Sequence, residues 1–142
     1  MAVIQARNPR TGKQDYEFVA ADAGTVSHAV ANARTAQRDW YRKGLDHRVQ
    51  ALTSWAKALE ARADAITAAL ADDTGRTRIS REELGAVIHF IHGYSDAAPE
   101  VLAQPFRKFS NNSDVVFKTT LIPYPVVGVI SPWNFPLVLS FI

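Results

Sequence analysis

Apolar positions along the chain first alternate, then recur at three/four spacing, and finally run together. Over residues 4–20, Tyr16, Phe18 and Ala20 alternate behind Asn8-Pro9-Arg10-Thr11-Gly12, which predicts two short strands around a turn. Val26, Ala29, Val30, Ala33, Ala36 and Trp40 fall on one stripe of a helix, capped by Thr25 and closed by Gly44. Asp46 can cap a second helix with Val49, Leu52, Ala56, Leu59, Ala63, Ile66 and Leu70 on one face. It is long for one helix, so a break near Ala61 to Asp64 is expected, with Gly75 as the final stop. Ser80-Arg81-Glu82-Glu83 reads as a capping box, in which Glu83 returns to the Ser80 amide. The helix it opens turns Leu84, Val87, Ile88, Ile91 and Ala98 inward and is limited by Pro99 or Pro105.

From Phe106 the period changes. Asn111-Asn112-Ser113 reads as a turn and Val115 to Ile122 as a β-branched strand. Val126 to Ile130 is wholly apolar, the pattern of a strand buried on both faces of a parallel sheet. Ser131-Pro132-Trp133-Asn134-Phe135-Pro136 breaks it, and Pro136 suits the first turn of a new helix.

Composition sharpens this division. Eighteen of the 22 alanines precede residue 72, and six of the seven prolines lie between Pro99 and Pro136. The last 24 residues carry no charge. That length could cross a bilayer, but Pro123, Pro125, Pro132 and Pro136 would interrupt a spanning helix, so no membrane partner is expected. Sixteen basic and 14 acidic residues balance, and the basic side chains form only pairs such as Arg42-Lys43, which argues against a nucleic-acid partner. No apolar leader follows Met1, so a cytoplasmic location is expected. The absence of cysteine excludes disulfides, thiolate metal sites and a cysteine nucleophile within these 142 residues.

Most polar clusters have ordinary explanations. His89 and His92 share a helix face without further ligands in view, and His28 and His47 are isolated, so no metal is expected. Asp72, Asp73 and Thr74 read as a helix end before Gly75. Arg34, Arg38, Arg42 and Lys43 read as a solvated flank. No glycine-rich phosphate loop follows any expected strand. What remains is the loop at the carboxyl end of the 126–130 run, where open α/β sheets bind ligands. Two prolines clamp it, and Trp133 and Phe135 flank Asn134. The Asn134 amide is either a neutral donor for a developing oxyanion or the cap of the helix near Pro136.

The run Gly128 to Pro136 resembles the N-terminal part of the NAD(P)-dependent aldehyde dehydrogenase superfamily, most specifically in Pro132-Trp133-Asn134-Phe135-Pro136. The order of the early Asn8-Pro9-Arg10-Thr11-Gly12-Lys13 turn, the Ala-rich helices with Trp40, and Thr74-Gly75 agrees over the whole chain. The resemblance implies an α/β fold: the helical N-terminal part and first strands of a Rossmann-type cofactor domain with a β arm, incomplete. It implies a hairpin and helices over 1–105, an arm strand over 106–122 (Val115 to Leu121 pairing in oligomers), and a first core strand, catalytic loop and helix start over 123–142.

The resemblance also implies oxidation of an aldehyde to a carboxylic acid with NAD or NADP, through a cysteine thiohemiacetal and thioester. Asn134 would be the oxyanion donor. Ile130, Ser131, Pro132 and Trp133 would line the cofactor cleft, and Phe135, Leu137 and Val138 the substrate tunnel. A homo-oligomer, dimer or tetramer, is implied for the complete enzyme. The family's catalytic cysteine and general-base glutamate lie beyond residue 142. The 142-residue polypeptide is therefore expected to be a fragment, inactive alone and prone to aggregate or oligomerise. The alternative reading is a non-catalytic helical interaction module derived from the same family.

Overall fold

A computed structural model describes residues 2–103 and 120–142, with the backbone of the two short strands between them. Strands β1 (Val3–Arg7) and β2 (Gln14–Val19) pair antiparallel, with Val3 opposite Val19 and a register irregularity between Ala6 and Arg7. Asn8 organises the turn between them. Its buried side-chain oxygen accepts from the amides of Arg10 at 2.9 Å and Thr11 at 3.2 Å, while Gly12 adopts φ 70°.

Four helices follow: α1 (Ala23–Arg42), α2 (Gly44–Ala61), α3 (Ala63–Thr74) and α4 (Ile79–Leu102). The stops at Gly44 and Gly75 and the break near residue 62 stand where the sequence placed them, whereas three caps differ. Asp22, not Thr25, caps α1; its carboxylate accepts from the Thr25 amide at 2.7 Å, so the helix starts two residues before Thr25. Lys43, not Asp46, sits at the start of α2, because Lys43 alone separates the helices and Gly44, at φ 82°, already begins α2. The Ser80 capping box does not form. Helix α4 begins at Ile79, and Ser80 donates its hydroxyl to the Arg76 carbonyl at 2.6 Å, which frees Glu83 for a distant partner. Pro99 lies inside α4, which ends at Leu102.

The core forms where α2, α4 and a 3-10 turn at Val138–Ser140 meet. Ala56, Val87, Ile91 and Val138 are buried there, with Leu52, Leu59, Phe90, Phe135, Leu137 and Phe141 packed around them. The N-terminal hairpin docks at the end of α3. Arg10 pairs with Asp72 at 2.5 Å and the Tyr16 hydroxyl donates to Asp73 at 3.1 Å, so these acidic residues hold the hairpin.

Two apolar segments differ from expectation. Helix α1 buries none of its residues; Val26 is 53% and Trp40 40% exposed, since no described element covers that stripe. The run Val126 to Ile130 forms no strand, and Ile130 is fully exposed, because no described neighbouring strand supplies ladder partners. Most of the strand expected over 115–122 lies outside the described residues. Within it β4 (Val116–Phe117) pairs antiparallel with β3 (Arg107–Lys108), and residues 120–122 carry no ladder. No helix among the described residues is long and apolar enough to cross a membrane.

Candidate active site

The loop carrying Asn134 is held by Arg76, in the turn between α3 and α4, and by Glu83, early in α4. Gly75, at φ 73°, ends α3 and turns the chain so that Arg76 points back toward residues 134–135. Thr74 fixes that turn, donating its hydroxyl to the Leu70 carbonyl at 2.5 Å and accepting from the Arg76 amide at 3.3 Å. One turn into α4, Glu83 lies on the same inward stripe as Ser80, Val87 and Ile91, and its side chain is 1% exposed.

A buried carboxylate needs partners. Glu83 Oε1 accepts from the amides of Leu137 at 2.8 Å and Val138 at 3.1 Å, which begin the 3-10 turn. Glu83 Oε2 stands 3.7 Å from Arg76 Nη1. The same Arg76 nitrogen donates to the Asn134 carbonyl, and the guanidinium carbon lies 3.8 Å from the centroid of the Phe135 ring. Ser131 closes the loop from its other side, donating its hydroxyl to the Pro136 carbonyl at 3.0 Å.

The predicted site residues therefore divide. Asn134 is exposed, with its backbone carbonyl engaged, and its side-chain amide makes no hydrogen bond among the described residues. Ile130, Ser131, Pro132 and Trp133 form a contiguous exposed stretch beside it, with Trp133 82% exposed. Phe135, Leu137 and Val138 turn into the core against α2 and α4. The chain thus alternates between a committed side and a free side about Asn134.

Sequence reasoning missed Arg76 altogether and gave Glu83 a local role. The signal for Glu83 was present: a carboxylate at three/four spacing from Ser80 and Val87, on the stripe assigned to the core. No group of three or more His, Asp or Glu suited to a metal ion occurs among the described residues.

The profile of the aldehyde dehydrogenase family matches residues 2–142, essentially the entire chain. This chain belongs to the aldehyde dehydrogenase family. Among curated relatives, aldehyde dehydrogenase (NAD(P)+) 2 of Saccharomyces cerevisiae is 29% identical over 96% of this chain and 27% of its own length. N-succinylglutamate 5-semialdehyde dehydrogenase of Klebsiella pneumoniae is 33% identical over 92% of this chain and 27% of its own. The structure of the putative aldehyde dehydrogenase PutA from Anabaena variabilis superposes with a TM-score of 0.91 and 38% identity, covering 97% of this chain and 29% of that one. An NADP-dependent glyceraldehyde-3-phosphate dehydrogenase from Bacillus halodurans, solved with NADP, shares the fold at a TM-score of 0.86 and 24% identity. The chain spans about 27% of the length of the curated relatives quoted. Its mixed helix and strand architecture is that of the N-terminal part of the family fold.

Proposed function

We propose that this segment supplies the oxyanion donor and one wall of the cofactor cleft to an enzyme that oxidises an aldehyde to a carboxylic acid with NAD or NADP. The observation that carries this is the free Asn134 amide on a loop whose backbone is tied down by Arg76 and Glu83. When a cysteine thiolate adds to an aldehyde carbonyl, the oxygen gains negative charge. An amide N–H already pointing at that oxygen stabilises the tetrahedral thiohemiacetal without reorganising and without exchanging a proton. The nucleophile is not among these 142 residues, which contain no cysteine.

The exposed run at 130–133 suits one part of the cofactor better than another. Ile130 and Trp133 offer apolar surface not used by the core, which fits a planar organic ring. The run has neither a cationic side chain nor consecutive glycines, so it does not fit a pyrophosphate. We assign Ile130, Ser131, Pro132 and Trp133 to the ring wall. The bound cofactor supplies the hydride acceptor. Phe135, Leu137 and Val138 back the substrate tunnel from the core side, where α2 and α4 hold them.

The test is Asn134→Ala in a family-length enzyme carrying this segment. The expected result is a loss in kcat of about 10²-fold or more with little change in cofactor affinity, the size of one lost oxyanion donor. Unchanged kcat would refute the oxyanion role of Asn134, whose side chain caps no turn in the structure.

A further inference from the structure

We propose that Arg76 and Glu83 are positioning residues that hold the loop backbone from which the Asn134 amide projects. This rests on the reading of Asn134 as oxyanion donor. An asparagine amide lies only two torsions from its Cα, so the space it can reach depends on where the backbone holds that Cα. The Asn134 carbonyl, which belongs to that unit of chain, is bonded by Arg76 Nη1. On its C-terminal side the Phe135 ring is covered by the Arg76 guanidinium, and the next two amides but one, Leu137 and Val138, end on Glu83 Oε1. One guanidinium–carboxylate pair therefore engages residues 134, 135, 137 and 138.

The loop's other hydrogen bonds among the described residues are local. They run from Ser131 and Ser140 to the Pro136 carbonyl and from the Leu139 amide to Phe135. Local bonds keep the loop's shape, and its placement relative to α4 comes from the Arg76 and Glu83 bonds together with the packing of Phe135, Leu137 and Val138 on the core. A shift of about 1 Å at such a donor costs on the order of 10²-fold in rate, so the tether has a catalytic consequence even though neither residue touches substrate. Among the described residues, Arg76 Nη2 is buried without a hydrogen-bond partner.

Two measurements test this. In the full chain, backbone amide exchange at Leu137 and Val138 is compared with that at Val87 and Ile91. Glu83→Ala is expected to speed exchange at 137 and 138 by about tenfold or more relative to the α4 amides. Glu83→Gln, which keeps an acceptor oxygen for both amides, is expected to preserve most of the protection. Equal exchange in all three proteins would overturn the tether, and so would loss of protection throughout α4 in Glu83→Gln.

In a family-length enzyme, Arg76→Gln is expected to lower kcat by about tenfold or more while KM for the cofactor stays within about twofold. In an Asn134→Ala background the same change is expected to have no further effect, because the residue acts through that amide. An equal loss in both backgrounds would overturn the positioning role and leave the Asn134 reading standing. An Asn134→Ala enzyme with unchanged kcat would overturn both.

Discussion

Replacing Gly75 by alanine adds one methyl group where two separate constraints meet. The residue adopts φ 73°, a left-handed conformation that costs an L-residue about 1–2 kcal/mol. Its added Cβ would also lie 3.1 Å from Pro9 Cγ and 3.6 Å from Arg10 Cγ, inside ordinary contact distance for the first. Pro9 is a rigid ring in the hairpin turn, so relief requires the hairpin to move away from α3. That movement would strain the 2.5 Å Arg10–Asp72 pair and the 3.1 Å bond from Tyr16 to Asp73. Overpacking of this kind costs about 1–3 kcal/mol, so with the backbone penalty a total of about 2–5 kcal/mol is expected.

Gly44 and Gly12 supply the controls. Both have positive φ, at 82° and 70°, and a Cβ at either meets nothing within 4 Å. Their alanine variants carry the backbone penalty alone, and the gain in unfolded-chain stiffness is common to all three. Urea denaturation should therefore show a Gly75→Ala midpoint below those of Gly44→Ala and Gly12→Ala by an amount worth the overpacking alone, about 1–3 kcal/mol, with similar slopes. Faster amide exchange in β1 and β2 should accompany it. Midpoints that coincide for Gly75→Ala and Gly44→Ala would refute the close approach of Pro9 as a stabilising constraint.

Ile91 is fully buried among Val87, Ala56 and Val138, so Ile91→Ala should destabilise by about 3 kcal/mol, read from the same denaturation curves; a loss under about 1 kcal/mol would mean the α2–α4 seam repacks freely. The backbone and hydroxyl hydrogen bonds from Thr25 hold the Asp22 carboxyl below the usual aspartate value. A depressed value in the folded chain means that the cap's contribution is present above the unfolded carboxylate value and is lost as pH falls through the folded one. Acid should thus loosen the first turn of α1 before α4 in amide exchange, and Asp22→Asn, which keeps an acceptor but cannot titrate, should abolish that pH dependence.

Much of the local structure was legible in the sequence. Gly44 and Gly75 stop helices because each reaches a left-handed φ without a side-chain clash. The three/four spacing of Leu52, Ala56 and Leu59 and of Val87 and Ile91 marked the faces that meet in the core. The Pro-Trp-Asn-Phe-Pro run marked a constrained loop, because paired prolines limit the backbone wherever they occur. These are properties of torsions and periodicity, and a linear sequence carries them in full.

Apolar character was less decisive. The stripe of α1 and the run from Val126 to Ile130 have the composition of buried segments, yet both are exposed among the described residues. Burial depends on a second surface arriving, and the segment's own residues do not specify which surface that is. Glu83 shows the same limit for polar groups. Three residues after Ser80 it satisfied a local capping rule, but 54 residues further along the chain waited a backbone amide that the fold brought to 2.8 Å. The sequence alone determined the stops at Gly44 and Gly75 and where the loop is stiff, whereas the structure decided that the Asn134 amide is free rather than a cap. Tertiary structure alone decided what holds that amide in place, since a buried carboxylate takes the donors that packing delivers to it.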